Sequence, residues 1–124
     1  MTTINERLNI LEEGKVISPE AALIAEKAVQ RLISKSTDLP QNKLEMLVTH
    51  LATALTRMSR GEKIDQPPEV LVSEVDKNEH VQSALDEIKW VETVWGEKLP
   101  PAEIAFLKIH YVSIFQELKE DQSQ

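Results

Sequence analysis

Apolar residues recur along most of this chain at spacings of three and four, the period of helices packed on one face. Ile4, Leu8 and Leu11 mark a short first segment over residues 4–12, which Gly14 is placed to stop. Ser18-Pro19-Glu20 reads as an N-cap followed by proline at the first helical position. The helix that follows is predicted to reach about Ser34, with Ala21, Ala25, Ala28 and Leu32 on one stripe. Pro40 breaks the chain. From Gln41 to Arg60, Leu44, Val48, Leu51, Leu55 and Met58 predict an amphipathic helix with a narrow apolar seam, ended by Gly61. Pro68 opens a short helix through Val75. After a turn at 76–79, a helix from about Glu79 to Val94 turns Val81, Leu85, Ile88 and Trp95 inward, and Gly96 stops it. Pro100-Pro101 opens the last helix, predicted to run to about Lys119 ahead of a polar, frayed tail over 120–124.

These elements predict an all-α protein: a five-helix bundle with a short extra N-terminal helical segment. The 124 residues fit a single domain spanning 1–124, with its core at about 5–118. No internal repeat or low-complexity segment stands out. The last helix has its main stripe at Ile104, Leu107, Tyr111, Phe115 and Leu118, yet Ala105, Ile109 and Val112 point away from that stripe. Such a helix is either central in the bundle or buried twice, in the core and at a partner. Trp90 lies off the inner face of its own helix, which suggests a contact surface.

Composition narrows the chemistry. There are no cysteines, so disulfides, thiolate catalysis and cysteine-ligated zinc are excluded. The net charge is −7 and the basic residues are scattered, so direct nucleic-acid binding is not expected. No stretch approaches the roughly 18 apolar residues of a membrane span, and residues 1–15 carry no signal-peptide pattern. A cytoplasmic location is the expectation.

Candidate chemistry gathers at two of the three histidines. His50 falls at the edge of its apolar stripe, with Lys43 seven residues before it and Arg57 seven residues after it on the same line. His110 repeats the placement in the last helix, with Glu103 and Glu117 on its line. A ring at such an edge is held by apolar packing while one nitrogen stays reachable. Near neutral pH an imidazole offers a lone pair as nucleophile. A carboxylate taking the other ring N–H would fix the tautomer, and Glu103 or a carboxylate from another helix fits that role. The bland account of each histidine is an amphipathic filler. His80, near a helix start, reads as structural or solvent-facing.

Residues 48–64, VTHLATALTRMSRGEKI, resemble the first histidine motif of phosphotransferase-regulation (PRD) domains: a histidine in an apolar helix, an arginine seven residues on and a short polar exit. Residues 99–110, LPPAEIAFLKIH, resemble the second: a Leu-Pro opening, a glutamate, an apolar run and a histidine seven residues after the glutamate. Lys108 interrupts that apolar run. The resemblance covers about residues 5–118. It implies a helical bundle that commonly forms homodimers and acts in bacterial antiterminators and activators of sugar-utilisation operons. It implies His50 and His110 as phosphate acceptors, with HPr or a sugar-specific EIIB component as donor. Arg57 and Glu103 are the implied supporting residues. On this reading the chain is a stand-alone regulatory domain with no cofactor. It would control transcription or antitermination through protein contacts, including a regulator bound in trans.

Phosphate on His50 would meet Arg57 and Lys43, while phosphate on His110 would meet Glu103 and Glu117. The two sites are therefore expected to differ. Two alternatives stand beside this reading. One is the same bundle as a dimerisation or interaction module with inert histidines. The other is a small metal-dependent enzyme using His50, His110 and Glu103, for which the i, i+4 histidine motif is absent.

Overall fold

Among the described residues, the computed structural model has six helices: α1 (Thr3–Glu13), α2 (Pro19–Lys35), α3 (Gln41–Ser59), α4 (Glu69–Asp76), α5 (Val81–Trp95) and α6 (Pro101–Gln122). The structure describes residues 3–36 and 38–122, and side chains from Ile4 to Glu117 except residue 37. The described chain is all-helical, as the periodicity predicts. The count is six rather than five, because the N-terminal segment is an 11-residue helix, longer than the 8-residue α4. The chain divides into two compact units, Met1–Lys63 with α1–α3 and Ile64–Gln124 with α4–α6.

In the first unit, α2 begins as expected. Ser18 is the N-cap, its hydroxyl accepts from the Ala21 N–H at 3.2 Å, and Pro19 follows at the first position. Ala21, Ala25, Ala28 and Leu32 are all buried, together with Ala22 and Val29. The run of alanines lets α2 approach α3 closely. Both α1 and α2 pack on α3, so α3 buries more than a narrow seam. Leu47, Ala52, Ala54 and Thr56 join Leu44, Val48, Leu51 and Leu55 in the core, while Met58, near the helix end, is only half-buried.

Three polar ties hold this unit in register. Arg7 on α1 donates to Glu45 on α3 at 3.1 Å and to the Thr49 hydroxyl at 3.4 Å. Gln41 donates to the other Glu45 oxygen at 3.3 Å. The Thr56 hydroxyl accepts from the Ser18 N–H at 3.0 Å and donates to the Ala52 carbonyl at 2.8 Å. One turn on, Arg60 donates to the Lys15 carbonyl at 2.9 Å. The left-handed residue after α1 is Lys15, at φ 62°, rather than Gly14. The strap from α3 holds that strained turn in place.

In the second unit, α5 turns Ala84, Ile88 and Val91 inward with Glu87. Val81, Leu85 and Trp95, expected on that face, are half-buried, because the face centres on the small Ala84 and not on Leu85. Trp90, off that face, is half-buried. Gly96, at φ 91°, caps α5 in the left-handed conformation. The Glu92 carboxylate then accepts from the Leu99 N–H at 2.8 Å, bracing the turn into α6.

The last helix is embedded on nearly every side, and from Ala102 to Phe115 none of its residues is exposed. Leu107 and Tyr111 are buried as expected. Ile104 and Phe115 are only half-buried, whereas Ala105 and Val112, expected to face away, are buried. A helix apolar around its whole circumference has no single inner stripe. The Leu118 side chain lies outside the described residues, as do residues 123–124. The helix itself continues to Gln122, past the expected end at Lys119.

Thr56 is 2% exposed and satisfies a backbone N–H that no helix partner serves. Thr56→Val is expected to lower unfolding free energy by about 1–3 kcal/mol in urea titration, since it strands that donor. Thr56→Ser, which keeps the hydroxyl, should lose clearly less.

Candidate functional site

His50 lies on α3, half-buried, at the margin of the buried arc. Lys43 and Arg57 share its line and are half-buried too. Seven residues of helix advance roughly 10.5 Å along the axis. Because Cα–Cβ bonds tilt toward the helix N-terminus, Arg57 leans toward His50 while Lys43 leans away. Of the two flanking cations, Arg57 is the one whose stem leans toward the ring. The His50 carbonyl is engaged separately, accepting from the Thr53 hydroxyl at 3.0 Å.

His110 occupies the corresponding margin of α6 in the second unit and is half-buried. Glu103 stands in the first turn of α6 and is 2% exposed. There a carboxylate is favoured by the helix dipole. It leans away from His110 and, at roughly 10.5 Å along the axis, does not reach that ring along α6 itself. Glu117, half-buried, leans toward it.

Lys108 has a definite partner. Its ammonium bonds Asp76 at the end of α4, with side-chain exposures of 15% and 49%. The position lies about 160° around the helix from His110. The lysine that interrupts the apolar run therefore ties α4 to α6 and sits away from the histidine edge. α4 needs such a tie, because none of its residues is buried and Val70 and Leu71 are exposed.

His80 is not solvent-facing. It precedes α5, packs against Phe115 with ring centroids 6.4 Å apart, and has its Nε2 buried without a hydrogen-bond partner. Its backbone N–H donates to the Asn78 side chain at 2.8 Å. Among the described residues no three His, Cys, Asp or Glu side chains form a group that could hold a metal ion. The metal-enzyme alternative therefore has no ligand set there. No helix among the described residues is long and apolar enough to cross a membrane.

A protein-family model, the PRD domain, matches residues 26–114. The chain belongs to the PRD family. The match includes α3 and most of α6, and with them His50, Arg57, Lys43, Glu103 and His110, whereas α1 and the first turns of α2 precede it. PRD domains are regulatory modules of the sugar phosphotransferase system, which assigns this chain to regulation in general terms. Comparison with curated proteins and with solved structures finds no match.

The ties through Arg7, Thr56 and Lys108 escaped the sequence. A lysine inside an apolar run was the one visible signal, and it pointed at α4 rather than at the histidine. Because Asp76 is half exposed, the Asp76–Lys108 pair should be worth little in isolation. A double-mutant cycle with Asp76→Asn and Lys108→Met is expected to give a coupling of no more than about 1 kcal/mol.

Proposed function

We propose that this PRD receives phosphate on His50 and His110 from HPr or an EIIB component, and that the phosphates bias its protein contacts. The observation that carries the reading is the family match across two helices that each hold one half-buried histidine at a burial margin. In the transfer, a ring nitrogen lone pair forms an N–P bond while the donor's bond to phosphorus breaks and its electron pair leaves with the donor. The ring gains about −1.5 to −2 charges.

The contacts so biased are those of a homodimer or of a transcriptional regulator bound in trans, and the output is transcription or antitermination of a sugar-utilisation operon. The two sites act unequally. At His50 the new charge faces Arg57, with Lys43 adding positive potential from the other side. At His110 it faces Glu117, with Glu103 on the far side, so a cation from a partner is needed there. One phosphate therefore favours a tighter assembly and the other opposes it. The competing reading is a dimerisation module of the same fold whose histidines are inert.

Incubation with enzyme I, HPr and labelled phosphoenolpyruvate tests this. Acid-labile label is expected in the wild type, reduced in His50→Ala and in His110→Ala and abolished in the double variant. No label from HPr or from a panel of phosphorylated EIIB donors would favour the inert module. In the same assay, Arg57→Ala should lower occupancy at His50 more than at His110; equal loss at both would count against the pairing.

A further inference from the structure

Part of the first unit's histidine-helix pattern recurs in the second. Leu39-Pro40 leads into α3 and Leu99-Pro100 leads into α6, and His50 and His110 follow at the same interval. Burial repeats in part. On α3, Leu47, Leu51, Ala52 and Ala54 are buried; sixty positions on, so are Leu107, Tyr111, Val112 and Ile114, whereas buried Leu44, Val48 and Leu55 answer to half-buried Ile104, Lys108 and Phe115, and buried Thr56 to exposed Gln116. The preceding helices agree with an offset of fifty-nine. Ala25, Ala28, Val29 and Leu32 of α2 are buried, as are Ala84, Glu87, Ile88 and Val91 of α5. Residue identity conceals the repeat, because buried positions accept any apolar group of suitable size.

Charge on the histidine edge does not repeat. Lys43 answers to Glu103, and Arg57 to Glu117. What does recur there is the ring and, three residues later, a hydroxyl: Thr53 after His50 and Ser113 after His110, all four half-buried. Core packing accounts for Leu47 and Leu107, and helix initiation accounts for the Leu-Pro pairs. Neither accounts for the recurring ring and hydroxyl.

On a helix, residues three apart are neighbours, with Cβ atoms roughly 5–6 Å apart. The Thr53 hydroxyl donates to the Thr49 and His50 carbonyls at 2.9 and 3.0 Å. Those carbonyls already serve the helix, so this donor can be released at little loss. Threonine has two accessible side-chain rotamers in a helix. A phosphoryl oxygen one turn back is the stronger acceptor, since hydrogen bonds to charged groups are about twice as strong as neutral ones.

We infer that Thr53 and Ser113 are positioning residues for phosphohistidine, each presenting its hydroxyl to the phosphoryl group one turn before it, Thr53 by releasing its backbone bonds. The inference rests on the phosphohistidine reading above. It also gives two edges of opposite charge one shared local donor, acting alongside whatever cation each edge recruits.

The test measures the equilibrium of phosphoryl transfer from phospho-HPr, or from a phospho-EIIB if that is the working donor, to one histidine at a time. In a His110→Ala background, Thr53→Val is expected to shift the equilibrium against phospho-His50 roughly tenfold, the loss of one charge-assisted hydrogen bond. Thr53→Ser should restore it. In a His50→Ala background, Ser113→Ala should do the same at His110, and Ser113→Thr should restore it. Thermal midpoints of the unphosphorylated variants control for folding. Label with an unchanged equilibrium in Thr53→Val and Ser113→Ala overturns the hydroxyl role and leaves the acceptor role standing. A wild-type chain that takes no label from any donor overturns both.

Discussion

The two long histidine helices are buried around most of their circumference, and that constraint decides where chemistry can sit. On α3 and α6 nearly every position packs, so a polar ring survives only at the margin of the buried arc. His50 and His110 stand at such margins. A phosphoryl group on a fully buried ring would carry unpaired charge into a low-dielectric interior. On a fully exposed ring it would disturb nothing that is packed. At a margin position added charge is still felt by the neighbouring packing; at His50 the Nε2 atom is itself buried, so a phosphoryl group there must go on Nδ1 or displace that packing.

The same burial explains how the smaller helices are attached. α1 contributes Ile4 and Leu8 to the core, and Arg7 then sets its register on Glu45 and Thr49 of α3. α4 contributes no buried residue, and its tie to α6 passes through Asp76 and Lys108. An element with little buried apolar area and one half-exposed ion pair belongs to the low-stability end of a structure. Within its unit α4 is therefore easier to displace than α5, which buries Ala84, Ile88 and Val91.

Much of this was legible in the sequence. Helix starts at Pro19 and Pro101, and stops at Gly61 and Gly96, follow from backbone chemistry that one residue carries alone. The α2 stripe was legible because alanines at helical spacing have one reading. The α6 stripe was not, because a helix apolar all round gives periodicity no contrast from which to choose Ala105 over Ile104. Leu85 was misplaced for a related reason: hydrophobicity favoured the larger side chain, while close packing centred the face on Ala84. At the candidate site, the edge positions of His50 and His110 followed from 100° steps. The link between Lys108 and Asp76 did not, since it joins residues 32 apart in the chain.

The sign of charge beside each histidine carries the last step. Lys43 and Arg57 stand on the line of His50, so on the phosphohistidine reading proposed above a phosphoryl group there would meet cationic side chains. Glu103, buried, and Glu117, half-buried, stand on the line of His110, so on the same reading a phosphoryl group there would meet carboxyl side chains instead. The chain as a whole carries −7, so its overall field opposes phosphate at both rings. At physiological salt, fields beyond about 8 Å are largely screened for exposed charges. The four flanking residues lie roughly 10.5 Å along the axis from their rings, so they act there through their partial burial, which weakens the screening. On the phosphohistidine reading, two helices that place their rings at matching margins would thus respond differently to the same modification, because packing sets where the ring sits while the side chains beside it differ in sign.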